Sequence, residues 1–310
     1  MHIVAALGGN ALLRRGEAPT PDAQEANIKQ AAAALAQLIT AGHRLTLTHG
    51  NGPQVGLLAL QAEAGPKGAA QPLDSLDAES EGWIGYLLEQ ELANALPPDT
   101  AIATLLTRIE VDANDPAFTS PSKPIGPIYD EATAQELAAT RGWSIAQDGK
   151  AWRRVVPSPA PVSILNAASI ERLTQAGTLV ICAGGGGIPV VRDKAGKWHG
   201  KEAVIDKDAA SALLAEQIGA DFFLMLTDVD AIYLDYGSSQ QRALSKATPK
   251  MLLSYDFATG SMGPKVEAAC RFVQHTNCSA AIGRMEDARA IIDRKAGTRI
   301  QMELLANKPS

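Results

Sequence analysis

Short apolar runs alternate along this chain with longer stretches whose apolar residues recur at helical spacing, and the junctions are rich in glycine. Ile3 to Leu7, Leu45 to Thr48, Ala101 to Thr107, Thr178 to Ala183, Phe222 to Leu226 and Ala280 to Ile282 have the length and apolar continuity of strands buried on both faces. Between them the periodicity predicts helices over Gln24 to Thr40, Pro53 to Glu63, Asp77 to Leu96, Ser169 to Ala176, Asp208 to Ile218, Pro249 to Tyr255 and Pro264 to His275. Gly42 sits where a helix C-cap belongs, and Pro53 where a first helical residue does. This alternation predicts an α/β fold, a mostly parallel sheet with helices on both faces.

Two stretches break the pattern. Gly65 to Ser75, rich in glycine, alanine and proline, reads as a surface loop. Asp112 to Pro161 carries seven prolines from Pro116 onward and weaker periodicity, so it reads as an inserted subdomain outside the main sheet, hanging over a site. Within it the pattern predicts a helix over Asp130 to Thr140 and short strands near Trp143 to Ala146 and Trp152 to Val156. A hairpin over Val190 to Val204, turning at Ala195-Gly196, follows. The expected division is one domain over 1–310, with an N-terminal half to residue 160 that contains the insert and a C-terminal half over 161–310.

Composition narrows the function class. The net charge of −6 argues against a duplex nucleic-acid binder, and no apolar run reaches the roughly 18 residues of a membrane span. Met1 to Leu7 lacks the basic start of a secretion signal. Cys182, Cys270 and Cys278 form no C-x-x-C pair, and the five histidines show no metal-ligand spacing. A cytoplasmic protein with small-molecule ligands is expected.

Three glycine-rich turns follow strands: Gly8-Gly9-Asn10, Gly50-Asn51-Gly52 and Gly184 to Gly187. At the carboxyl ends of parallel strands such turns line one crevice, where their N–H groups can converge on an anion; each alone also reads as an ordinary tight turn. Pro189 stands where a dinucleotide fingerprint needs its third glycine, and no lysine after a glycine is followed by Ser or Thr as a P-loop requires. The charged segments are more informative. Lys207 and Asp208 lie at one helix start, Lys265 in Gly260-Ser261-Met262-Gly263-Pro264-Lys265 at another, and Asp208 is placed to hold two ammonium groups. Positive charge around a transferred phosphoryl group is the main demand of phosphoryl transfer; a helix cap at Asp206 and Asp208 with solvated lysines is the simpler alternative. Thr227-Asp228-Val229-Asp230 is either a nucleotide-contacting loop or a plain turn. Lys123, between prolines, sits on a stiff extended loop and on spacing alone reads as a surface lysine.

In combination these residues resemble the carbamate kinases of the amino acid kinase family. The resemblance runs from Ile3 to about Ala290 and is carried by Ala5 to Ala11, His49 to Gly56, Lys123 to Pro127, Trp152 to Pro159, Gly184 to Val190, Val204 to Asp208 and Gly260 to Lys265. It implies an open, mostly parallel eight-stranded sheet in a three-layer αβα sandwich with a small protruding subdomain, a homodimer, and reversible phosphoryl transfer between ATP and carbamate with Mg2+, ATP-forming in arginine or purine-derived catabolism. The N-terminal half would bind carbamate or carbamoyl phosphate and the C-terminal half the nucleotide.

The resemblance further implies that Lys123, Lys207, Asp208 and Lys265 are catalytic. Gly8, Gly9, Asn10, Asn51, Gly52, Gly184, Gly185 and Gly186 would cradle substrate and phosphoryl group, and Lys207, Thr227, Asp228, Val229, Tyr233, Met262 and Lys265 would contact the nucleotide. Glu81, where glutamine is expected, and Thr259 depart from the family pattern and are placed outside the phosphate-binding groups. Two other functions fit the same fold: a sister kinase acting on another small acid, and a non-catalytic nucleotide or metabolite sensor.

Overall fold

The computed structural model describes residues 1–9, 12, 17, 20–66, 70–258 and 260–302. In chain order the first half contains β1 (His2–Leu7), α1 (Pro21–Thr40), β2 (Arg44–His49), α2 (Gly52–Ala64), α3 (Leu73–Ala95), β3 (Ile102–Leu105), β4 (Arg108–Val111), β5 (Lys123–Tyr129), α4 (Glu131–Arg141), β6 (Ser144–Asp148) and β7 (Ala151–Val156). Then come β8 (Pro161–Ile164), α5 (Ala167–Gln175), β9 (Leu179–Cys182), β10 (Ile188–Arg192), β11 (Trp198–Gly200), α6 (Lys207–Gln217), β12 (Phe222–Thr227), β13 (Ile232–Leu234), β14 (Arg242–Leu244), β15 (Lys246–Ala247), α7 (Pro249–Leu252), α8 (Met262–Thr276), β16 (Ser279–Arg284), α9 (Ala288–Ile292) and β17 (Thr298–Ile300).

The main sheet has eight strands in the order β15-β17-β16-β12-β1-β2-β9-β3, parallel except for the antiparallel pair β16 and β17. Its central strands show why the apolar runs are continuous. Ile3, Ala5, Leu7, Phe222, Leu224 and Leu226 pack on one face with Leu35 and Leu38 of α1 and Ile84 and Leu88 of α3. Val4, Ala6, Phe223 and Met225 alternate onto the other face, against Leu214 of α6 and Phe272 of α8. Both faces are dry, so every position of β1 and β12 is apolar or small, apart from His2 and Thr227 at the ends.

Caps set the helix ends. Thr20 accepts the Ala23 N–H at the start of α1, which begins three residues before the periodic pattern did. At its end Gly42, with φ +82°, donates to Ile39 O and His43 donates to Leu38 O, a Schellman closure. α3 starts at Leu73, which removes the end of the expected Gly65 to Ser75 loop; residues 67–69 of that loop lie outside the described ones. α7 stops at Leu252 and falls short of Tyr255. The short strands β13, β14, β15 and β17 carry too few residues for a periodic signal and were not expected.

A second sheet, β11-β10-β4-β8, includes the expected hairpin, whose return strand ends at Gly200. A third, β5-β7-β6, lies with α4 within the inserted segment. It sits against α2 through an approach of Gly56 to Gly126, where a Cβ on Gly56 would stand 2.1 Å from Gly126. Glu63, near the end of α2, accepts from Trp143 Nε1 at 3.1 Å and Arg154 at 3.1 Å, and pairs with Arg141 as well. Lys123 is the first residue of β5, opposite Val156 of β7, so strand pairing holds it where a proline-stiffened loop was expected.

Candidate active site

The N-terminus of α6 organises the charged residues. Asp206 is its N-cap: one carboxylate oxygen accepts the N–H groups of Asp208 and Ala209 at 2.9 and 3.1 Å. The other accepts from Lys123 Nζ at 2.6 Å, which ties the inserted segment to the helix start. Asp208, in the first turn, pairs with Lys207 through one oxygen and with Lys265 of α8 through the other at 2.9 Å. The side chains of Lys207 and Lys265 are only 12% and 16% exposed, so the alternative of solvated lysines beside a capping pair does not describe this site.

Three ammonium groups and two carboxylates thus form one row, with a surplus positive charge facing a helix N-terminus. Burial alone would raise the Asp208 carboxyl, but the flanking Lys207 and Lys265 ammoniums hold it well below the usual carboxylate range. Burial moves Lys207 down despite Asp208 beside it. Asp206 is likewise held low by Lys123 against the effect of burial.

The glycine turns converge beside this row. A Cβ on Gly50 would lie 3.2 Å from Gly9 N and 3.6 Å from Lys207 Cδ. Gly185, at φ +69°, packs flat on Asn51, leaving 2.1 Å for a Cβ; only glycine meets both demands. Gly52 starts α2 next to Asn51. The structure therefore brings together Gly8, Gly9, Asn51, Gly52, Gly184, Gly185 and Gly186. Asn10 and Thr259 lie outside the described residues.

On the other side of Lys265 a cleft of about 1090 Å³ opens, lined by Gly8, Gly9, Thr227, Asp228, Val229, Tyr233, Met262 and Lys265, with Tyr236, Tyr255 and Phe257 supplying aromatic wall. Every expected nucleotide contact except Lys207 lines it. The volume suits a nucleotide-sized ligand, and the aromatic and polar lining suits a base and a ribose.

Several buried polar residues beside the glycine turns were not expected there. Glu81 is wholly buried, and its carboxylate accepts the N–H of Gly184 at 2.9 Å on one oxygen and of Thr107 at 3.0 Å on the other. It is a direct support of the third glycine turn, a contact that the sequence did not indicate. Burial pushes its carboxyl up to about 8, against the lowering effect of those two N–H groups. Thr107 also accepts the N–H of Ala183, which holds a left-handed φ of +49°. His49 is buried, pushed down to about 4 by desolvation, and packs against Gly184.

Asp77 and Ser80 lie beneath Asn51. The readable signal for these residues was spacing: Asp77, Ser80, Glu81, Ile84 and Leu88 fall on one stripe of α3, where polar groups have no reason to be unless they hold something. Asp206 as a partner for Lys123 had no signal in the sequence, since the two are 83 positions apart.

Among the described residues no group of three or more His, Cys, Asp or Glu side chains is placed to hold a metal, and no helix is long and apolar enough to cross a membrane.

Residues 1–284 match the amino acid kinase family. A carbamate kinase of Haemophilus influenzae is 51% identical over 300 residues, spanning 97% of this chain and 96% of the relative. A carbamate kinase of Pyrococcus furiosus is 43% identical over 310 residues, spanning 96% of this chain and 98% of the relative. The solved carbamate kinase from Giardia lamblia bound to AMP-PNP superposes with a TM-score of 0.89 at 38% identity, over 97% of this chain and 98% of that one. This chain belongs to the amino acid kinase family and, within it, to the carbamate kinases, ATP-dependent phosphotransferases.

Proposed function

We propose that this protein transfers a phosphoryl group reversibly between carbamoyl phosphate and ADP, giving carbamate and ATP. The observation that carries the reading is the row of Lys123, Lys207 and Lys265 held by Asp206 and Asp208 between the glycine turns and the nucleotide-sized cleft. In the ATP-forming direction a β-phosphate oxygen of ADP attacks phosphorus, the bond from phosphorus to the carbamate oxygen breaks, and carbamate leaves with the electron pair; no enzyme-bound intermediate forms.

The residues divide the work by position. Lys265 lines the cleft and touches Asp208, so it stands where the nucleotide's terminal phosphate meets the transferred group. Lys207 lies against Gly50, toward the substrate turns. Lys123 arrives from the inserted segment and neutralises charge on the carbamoyl side as the phosphoryl group moves. The Gly9, Gly50 and Gly185 turns exclude water and offer backbone N–H groups. Fixed positive charge of this kind stabilises the transition state because it needs no reorganisation when the reaction occurs. Gly8, Gly9, Asn51, Gly52 and Gly184 to Gly186 serve the substrate half, and Thr227, Asp228, Val229, Tyr233 and Met262 the nucleotide half.

Magnesium is expected with the nucleotide. Both oxygens of Asp208 are occupied by ammonium groups, a donor set that fits a cation held mainly by the nucleotide's own phosphate oxygens. Its chemistry there is charge neutralisation across the phosphates. A homodimer, a cytoplasmic location and an ATP-forming role in arginine or purine-derived catabolism complete the proposal, supported by the kinship with carbamate kinases.

The test is ATP formation from carbamoyl phosphate, ADP and magnesium by the purified protein, with Lys123→Ala as the control. Robust activity that the control loses supports the reaction and the lysine. ADP binding without turnover favours a sister substrate or a sensor instead.

A further inference from the structure

The amide of Asn51 is held by one end only. Its Nδ2 donates to Ser80 Oγ at 2.8 Å and to Asp77 Oδ1 at 3.3 Å. Which end of the amide is which follows from the serine: Ser80 Oγ–H is committed to Asp77 O at 2.9 Å, so Oγ can only accept, and the Asn51 atom facing it must be the donor. The other end, Oδ1, accepts no hydrogen bond from the described residues and lies beside Gly185 of the third glycine turn. Asn51 itself is 2% exposed and stacks on Gly185, so it is not free to turn over.

This orientation is the reverse of what an anion asks for. Beside a row of ammonium groups that draws phosphate, a carbonyl oxygen would repel a phosphate oxygen, whereas the amino side of the amide would have attracted it. The geometry therefore suits a hydrogen-bond donor, and on a carbamoyl phosphate the NH2 group is the donor.

We propose that Asp77 and Ser80 are positioning residues that lock the Asn51 amide with its carbonyl toward the substrate, so that Asn51 selects an acyl phosphate bearing an amino donor over one of the same size without it. The inference rests on the proposed reaction. It also gives the buried Asp77 carboxyl a role: Oδ1 accepts from the Asn51 amide, which offsets part of the cost of burying a group that burial moves well above its ordinary range and whose Oδ2 has no partner among the described residues.

The experiment compares kcat/KM for carbamoyl phosphate with that for acetyl phosphate, which carries a methyl where the other carries NH2. Ser80→Ala is expected to lower this ratio by roughly tenfold, the worth of one net hydrogen bond, chiefly through the carbamoyl substrate. Asp77→Leu should lower it too, while Asp77→Asn, which keeps a carbonyl acceptor, should restore it. Equal losses on both substrates in Ser80→Ala, or an unchanged ratio, would overturn the proposal. A second readout needs no turnover: the Asn51 side-chain NH2 hydrogens, followed by nuclear magnetic resonance in the full-length protein, should exchange slowly in the wild type and quickly in Ser80→Ala. If neither acyl phosphate reacts, the reaction proposed above fails while slow exchange still supports the locked amide; fast exchange in the wild type defeats it.

Discussion

The two sides of the lysine row are built by opposite means. On the Lys265 side the residues stand around an open cleft of about 1090 Å³, where Asp228 and Tyr236 are exposed and Tyr233 partly so. On the side of the glycine turns His49, Asn51, Asp77, Ser80 and Glu81 are all buried, and each shapes or supports a glycine turn. A large ligand brings enough surface of its own to be held by a cleft, so its site can remain open. A small anion brings almost none, and its recognition must come from backbone groups fixed in advance by what lies beneath them. The first kind of site should tolerate change; the second should not.

The sharpest way to break the contrast is to remove charge from the row that both sides share. Lys265→Met should lower turnover by roughly two to four orders of magnitude, because a preorganised charge is lost and Asp208 keeps an unneutralised oxygen; near-normal turnover in a steady-state assay would remove Lys265 from the mechanism. Lys123→Ala acts from one side only. It is expected to cut kcat by roughly one to two orders of magnitude, with ADP affinity by calorimetry within about twofold of wild type, since Lys123 contacts Asp206 and does not line the cleft.

The buried side should also reveal itself in stability. The folded Glu81 carboxyl holds its proton up to about 8, above the ordinary glutamate value of 4.5. Between those values the native state binds a proton that the unfolded state has released, so this group's contribution to stability is full at low pH and is lost as pH rises toward 8. Glu81→Gln removes the titration but sets an amide NH2 against the N–H of Gly184 or Thr107, so its Tm should lie below that of the wild type at pH 5.5, and the gap should narrow by a few degrees at pH 8.5. Parallel Tm profiles for the two proteins would mean that the carboxyl is not the source. The smallest effect belongs to the open side: Tyr233→Ala should raise KM for ADP several-fold and leave kcat within about twofold, as a wall residue bonded to Asp230 and not to the row.

The fold class follows from the apolar pattern alone. Continuous apolar runs such as Phe222 to Leu226 can be satisfied only by a strand covered on both faces, and the helix spacing between them supplies the covers. The sequence also supplied the candidates for chemistry: Lys207, Asp208, Lys265 and the glycine turns were legible because glycine and clustered charge are conspicuous locally. The boundaries drifted where caps decided them, as at Thr20 and Leu73.

The pairing of distant residues emerged with the folded chain. Lys123 finds Asp206 across 83 positions, and Glu81 reaches Gly184 across 103. The fold placed Lys123 on a paired strand where local composition suggested a loop, and it set Glu81 beneath the third glycine turn. Local sequence carries propensity and spacing, whereas these pairings depend on which strand ends the sheet order brings side by side. That order, with β1 between β12 and β2, is set by packing of the whole core and is visible in none of its segments.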